Sequence, residues 1–270
     1  MILVLVISDK NYNRYANNLI CSIQSSNSID VVHVSLKEGL AQNTSFVLRK
    51  DLHLHKIEIP HFGGTKEQNR IYSATCRYAV ARELLMANPS ISCLIYIDAD
   101  SLVRHRLEPI VQTFLSGSQC VGLRVRKGHH PYLSGVLLLG PRSIPFLDET
   151  ISALTTTEAI WGQDQTVLEQ ILSTKYESEI LELNATDVGW DYCASLKIWS
   201  AKGVDRRRSA EFIFESWALP RIKDLTPPLR ELIRFAIFRL SSLLHSLRIR
   251  KCFYFLRSLA SNTLKRLRAS

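Results

Sequence analysis

The chain has 270 residues, of which 46% are hydrophobic and 22% are charged. That length carries one sizeable core with room for an appendage, and that balance excludes an intrinsically disordered chain. The net charge of +9 is uneven: residues 221–270 hold twelve Lys/Arg against two acidic residues (+10), while residues 1–220 hold 22 basic and 23 acidic residues (−1). A neutral body without a recognition motif argues against a nucleic-acid-binding protein and leaves the tail as the charged element.

Residues 2–7 (ILVLVI) form an apolar, β-branched run of the kind found in a fully buried parallel strand. No basic segment precedes the run and it is too short for a signal peptide, so it is read as structure. A helical pattern follows through Ala16, Leu19, Ile20 and Ile23. Strands are expected at 30–36 and 55–59, a loop hinged at Gly63-Gly64, a helix over 71–87 and a fourth strand at 93–97. Beyond it come a helix at 109–115, strands at 120–125 and 135–139, helices near 143–154 and 162–173, and a strand around 179–183. Strands alternating with helices predict an α/β sheet. The prolines of "LTPPLRE" mark a boundary, giving a domain over 1–224 and a basic tail over 225–270. Six cysteines (Cys21, Cys76, Cys93, Cys120, Cys193 and Cys252) lie scattered without a CxxC pair, which suits a reducing compartment.

The fourth strand runs into "YIDADSLV". Acidic residues at the carboxyl end of a parallel strand lie where open α/β sheets bind ligands. In extended backbone Asp98 and Asp100 point to one side, and two carboxylates so placed repel unless a cation joins them. The other reading is that Asp98 caps a turn and Asp100 is solvated.

"YIDADSLV" resembles the Asp-x-Asp segment of GT-A glycosyltransferases, especially the retaining enzymes of family 8, and four further pieces occur in that family's order. "ISDKNY" resembles its first strand and nucleotide-binding turn, which implies that Asp9, Asn11 and Tyr12 address base and ribose. "SATCRYAV" is similar to the segment whose arginine, here Arg77, reaches the nucleotide-sugar; nearby Arg82 is either a surface charge or a brace for Asp98. "YLSGVLLLG" resembles a strand in which the family carries an asparagine where this chain has Leu133, with Ser134 as its substitute. "WGQDQTVL" resembles the segment facing the donor sugar, assigning Asp164 and Gln165. "LKIWSAKGVDRR" falls where the family has His-x-x-Gly-x-x-Lys: Gly203 matches, Arg206 stands for the lysine, and Ser200 stands for the metal-binding histidine. Arg207 and Arg208 are read either as phosphate contacts or as a solvated basic loop.

The resemblance spans residues 1–207 and implies a GT-A fold, with a mixed, mostly parallel sheet flanked by helices and followed by a basic helical tail. It further implies a UDP-sugar donor, Mn²⁺ or Mg²⁺ held at Asp98-Ala99-Asp100, and hexose transfer with retention to a glycan acceptor. A catalytically impaired sugar-nucleotide-binding protein stays open as an alternative, as does a protein or storage-polysaccharide acceptor. The loop "RVRKGHH" at 124–130 either meets an anionic acceptor or is a solvated connector. The tail has no uncharged apolar stretch of the roughly 20 residues that a spanning helix needs. Its helical spacing from Leu232 to Leu247, with Phe253, Tyr254 and Phe255, suits an anionic lipid interface, or alternatively a helix pair packed on the body. Relatives that build lipopolysaccharide are similar in having such a tail. The expected location is therefore cytoplasmic, peripheral on the inner face of the cell membrane, with a lipid-linked surface glycan as acceptor.

Overall fold

The computed structural model describes residues 1–9, 11–37, 40–41, 75–128, 130–156, 162–201, 207–222 and 225–246. The expected strand at 55–59 and the Gly63-Gly64 loop lie outside them, as do Gly203, Arg206 and the end of the tail. Strand β1 (Ile2–Asp9) leads through α1 (Asn13–Ser26) to β2 (Asp30–Lys37) and β3 (Leu40–Ala41). After α2 (Arg77–Ala87) come β4 (Cys93–Ile97), β5 (Ser101–Val103), α3 (Glu108–Ser116), β6 (Val121–Val125) and β7 (Tyr132–Leu139). Helices α4 (Ile144–Thr156) and α5 (Gln163–Ile171) precede β8 (Ile180–Glu182), β9 (Val188–Gly189) and β10 (Ile198–Ser200), and α6 (Ala210–Ile222) and α7 (Pro227–Ser246) follow.

Seven strands form a sheet in the order β3-β2-β1-β4-β7-β6-β8. Strands β1, β2, β4, β6 and β8 run parallel, with β3 and β7 antiparallel to them. The apolar run of β1 is continuous because both faces of the sheet are covered. Leu3 and Leu5 pack in the cluster that contains Tyr78 of α2 and Phe146 of α4. Val4 and Val6 pack in the cluster that contains Leu19 of α1 and Val111 of α3.

The parallel topology sends the carboxyl ends of β1, β4, β6 and β8 to one edge. There a second sheet, β5-β10-β9, lies beside the strand end that carries the aspartates. Neither β5, β9 nor β10 was legible as a strand, since each has only two or three residues, and β5 finds its partner β10 far along the chain. Helix α6 was also unexpected: Phe212, Phe214, Ala218, Leu219 and Ile222 are buried on more than one side, which blurs a helical period, and Pro220 lies inside it.

Helix α7 starts at the expected proline pair. Proline suits a first helical position because the N–H it lacks would have no partner there. Ile237 and Leu244 of α7 pack against Phe214, Leu219 and Ile222 of α6. Beneath them Arg104 and Glu215, both with fully buried side chains, form a paired contact: Nε to Oε2 at 2.8 Å and Nη2 to Oε1 at 3.1 Å. The Arg104 guanidinium carbon lies 4.6 Å from the Phe238 ring centre and 5.0 Å from that of Tyr192, and Arg234 of α7 donates to the Arg104 carbonyl.

Candidate functional site

The site is built at the carboxyl edge from four elements. At the end of β1, Asp9 Oδ1 accepts the backbone N–H of Asn11 at 2.8 Å and of Tyr12 at 3.0 Å. This is an Asx turn, and it hands the chain to α1 with the Tyr12 ring outside the core, 36% exposed. Asn11 is exposed beside it.

The aspartates lie differently from the alternation expected of a strand. β4 ends at Ile97, and the Ser101 N–H closes a turn on the Asp98 carbonyl at 3.1 Å. Asp98 and Asp100 are therefore aimed by a turn and meet different arginines. Asp98 Oδ1 accepts Arg77 Nη1 at 3.1 Å and the Tyr96 hydroxyl at 2.7 Å. Asp100 Oδ2 accepts Arg207 Nη1 at 2.6 Å. Arg207 also lies 5.5 Å from the Tyr12 ring centre and 5.7 Å from that of Tyr15, so one guanidinium links the β1 turn to the β4 turn. Ala99 is buried between the two acids.

Arg77 is the hub of the other half. Its Nη1 donates to the Ser134 carbonyl at 2.8 Å, and its Nη2 lies 4.0 Å from Asp164 Oδ2. Burial works against its charge, but Tyr96, Asp98, Tyr78 and Asp164 around it hold its pKa well above the ordinary guanidinium value. Burial likewise pushes the Tyr96 hydroxyl up, so it stays a proton donor to Asp98. Arg82, the other candidate brace, pairs instead with Asp148 at the surface.

Ser134 reaches this hub through an irregularity. Leu123 pairs with Leu137 but Arg124 pairs with Leu133, so β7 bulges between them. The bulge turns the Ser134 carbonyl to Arg77 and the Gly135 carbonyl to the Asp98 N–H at 2.8 Å. The Ser134 hydroxyl donates to Asp164 Oδ2 at 2.9 Å. Ser134 thus holds a side chain of the site. Asp164 is placed by Gly162, whose φ of +87° starts α5 in a left-handed conformation that side chains resist. Gln165, next in the first turn of α5, is half-buried.

Among the described residues no group of three or more His, Cys, Asp or Glu is arranged to hold a metal ion. The donors present are oxygens. Beyond the two carboxylates, the buried hydroxyls of Ser101 and Ser200, paired across β5 and β10 next to Asp100, have no hydrogen-bond partner among the described residues. Such orphaned polar atoms mark a place for water or an ion. An all-oxygen set fits Mg²⁺ or Mn²⁺ with the rest of the shell from phosphate and water, which Mg²⁺ commonly retains.

Arg207 is the residue that the sequence placed least well. A run of Lys202, Arg206, Arg207 and Arg208 carries no periodicity that marks one of them; of the described residues Arg207 and Arg208, it is Arg207 that meets Asp100, across 107 residues.

No family model and no curated protein matches the sequence. Solved structures do match. The glycosyltransferase GlyE of Streptococcus pneumoniae TIGR4 superposes with a TM-score of 0.52 and 14% identity over 85% of this chain and 63% of GlyE. The bifunctional glycosyltransferase WbbM gives 0.54 and 12% over 88% of this chain and 51% of WbbM. A glycosyltransferase involved in glycosylation of the major capsid of PBCV-1 gives 0.51 and 12% over 80% of this chain and 98% of its own. The fold is the GT-A glycosyltransferase fold. Within the GT-A fold the turn after β4 and the turn after β1 share the carboxyl edge described above. The chain spans less than two thirds of GlyE and about half of WbbM, so the activities of those whole proteins are not its own by likeness.

Proposed function

We propose that this chain is a hexosyltransferase that takes a sugar from a UDP-sugar donor and passes it, with retention, to a glycan acceptor. The observation that carries this reading is the Arg77 hub, where one buried guanidinium joins Asp98 after β4 to Asp164 at the start of α5. Two acids from separate elements, gathered at the ligand-binding edge of a glycosyltransferase fold, form a polar site in the middle of an otherwise apolar framework.

Asp9, Asn11 and Tyr12 would address the base and ribose, Tyr12 by its exposed ring. Asp98 and Asp100 would hold a divalent cation, which when bound supplies positive charge to the departing diphosphate. Arg207, with Gly203 and Arg206 of the same segment, would face the phosphates. Asp164, and Gln165 beside it, would orient the sugar, with the carboxylate of Asp164 placed against positive charge developing on the ring. The donor test is thermal denaturation with UDP-glucose, UDP-galactose and GDP-mannose, with and without Mn²⁺. A UDP-sugar near a hundredfold excess over its Kd is expected to raise Tm by about 5–10 °C only when Mn²⁺ is present. No shift with any of them overturns the reading.

A second prediction follows from the bulge. Ser134→Ala leaves Asp164 without its hydroxyl donor and is expected to lower kcat about tenfold with donor KM nearly unchanged, because orientation rather than binding is lost. Steady-state kinetics decide it, and a raised KM with normal kcat would count against it.

A sugar-nucleotide-binding protein that has lost transfer is favoured by the Ser200 hydroxyl where a stronger ligand is expected. Slow release of UDP from a UDP-sugar with Mn²⁺ distinguishes the enzyme from that alternative.

For the acceptor we propose a lipid-linked surface glycan such as lipopolysaccharide, reached from the inner face of the membrane. No helix among the described residues is long and apolar enough to cross a membrane. Helix α7 nevertheless turns Leu232, Phe235 and Leu243 outward at 66%, 59% and 51% exposure, with Arg239 over the Phe235 ring at 5.1 Å. An apolar stripe with cations suits an anionic interface. Flotation with liposomes containing an anionic lipid is expected to recover the full chain, and Leu232→Glu with Phe235→Glu is expected to abolish recovery. Equal recovery of both forms removes the membrane from the proposal.

A further inference from the structure

At the carboxyl edge β1 and β2 run in register, with Ser8 level with Ser35. Asn13 is the first residue of α1, and its Oδ1 accepts the Ser8 hydroxyl at 2.7 Å and the Ser35 hydroxyl at 3.4 Å. Ser8 also lies 2.7 Å from Nε2 of the buried His33. A hydroxyl has a single proton to give, and that of Ser8 goes to Asn13, so the His33 ring nitrogen is the donor in the third contact. Burial lowers the His33 pKa, which keeps the ring neutral. Side chains from two strands therefore fix which way the Asn13 amide points.

With Oδ1 engaged twice, Nδ2 is the group that the amide has left to offer. Asn13 is half-buried, and its Nδ2 has no hydrogen-bond partner among the described residues and is not enclosed. The residue stands next to Tyr12 and four positions after Asp9, in the turn that is read above as the base and ribose contact. A lone donor of fixed orientation thus borders the place proposed for the nucleotide.

We propose that Asn13 selects the base of the donor, its Nδ2 donating to the O4 carbonyl of uracil, and that Ser8 and Ser35 make the selection strict. The inference rests on the UDP-sugar reading above and names the residue that would enforce it. Uracil carries a carbonyl oxygen at the position where cytosine carries an amino group. An asparagine free to turn serves either base, giving its nitrogen to one and its oxygen to the other. Held by two hydroxyls on its oxygen, Asn13 only donates. Cytosine then sets one N–H group against another, and both lose the partner that water supplied.

The test is calorimetric titration of the full chain with UDP and with CDP, Mn²⁺ being present throughout. The parent is expected to bind UDP about tenfold more tightly than CDP, the worth of one matched against one mismatched hydrogen bond. Asn13→Asp keeps an oxygen for Ser8 and Ser35 and suits the start of a helix, so the fold is retained. Its carboxylate accepts but does not donate, and the preference is expected to reverse in favour of CDP. The ratio of the two affinities is the readout, because any repulsion between the new charge and the diphosphate weakens both nucleotides alike. Ser8→Ala combined with Ser35→Ala frees the amide to turn and is expected to bring the ratio near one. Equal affinities in the parent, or a preference for CDP, overturn the proposal. A UDP preference that survives Asn13→Asp also overturns it, and in that case the UDP-sugar reading still stands. Binding of neither nucleotide removes both.

Discussion

On the proposed transferase reading, Asp98→Asn and Asp100→Asn are each expected to lower sugar transfer by at least about 10²-fold, the usual loss when one group that stabilises developing charge is removed. The structure makes the two differ in what else they lose. Asp98 faces Arg77, whose side chain is only 7% exposed, so an amide at position 98 leaves a buried guanidinium with less opposing charge. The Tyr96 hydroxyl keeps an acceptor, and Arg77 keeps the Ser134 carbonyl and the nearby Asp164, which bounds the cost at about 1–3 kcal/mol. For a chain of this size that lowers Tm by about 2–4 °C per kcal/mol. Asp100 faces Arg207, which is more open and has two tyrosine rings to rest on, so Asp100→Asn is expected to cost less stability than Asp98→Asn. Transfer rates and melting curves on the purified variants check both halves. A double variant that transfers at the parental rate removes these acids from the chemistry, and equal melting points place Arg77 outside the role of charge partner to Asp98.

The elements legible in the sequence were those whose burial is written in their own residues. β1 and β4 are uninterrupted apolar runs, and α1 shows its buried face at Ala16, Leu19 and Ile23. The carboxyl edge was legible because acids follow such runs, at Asp9 and Asp98. What was not legible depends on contacts between distant residues. The turn at Asp98 replaces the alternation expected of a strand, since the following residues leave the large sheet to pair with β10, nearly 100 positions later. The role of Ser134 comes from a bulge, and a bulge is a mismatch between two strands that neither strand shows alone. Arg207 is one of several adjacent cations, and its contact with Asp100 is visible only in the folded chain.

The largest effect on stability is expected at Arg104→Met. The replacement keeps an apolar stem among Tyr192, Trp199 and Phe238 but strips the cation from Glu215, whose side chain has no exposure at all. Burial already pushes the Glu215 carboxyl above its ordinary range, and Arg104 is the chief influence pulling it back. Breaking a buried pair from one side costs about 3–5 kcal/mol at neutral pH. The sign of the pH dependence follows from the same geometry. Without Arg104 the carboxyl of the folded variant has its pKa raised further above the unfolded value of about 4.3, so the folded state holds the proton more tightly. That contribution is fully present below the unfolded pKa and is lost as pH rises through the folded one. The deficit against the parent is therefore large at pH 7 and shrinks toward pH 4.5. Urea denaturation at the two pH values measures it, and Arg104→Met combined with Glu215→Leu is expected to recover much of the loss by removing the stranded charge. A deficit under about 1 kcal/mol at pH 7, or one that is the same at both pH values, contradicts a buried ionic tie. Since Arg234 of α7 donates to the Arg104 backbone and Glu215 belongs to α6, this tie joins the basic helix to the body.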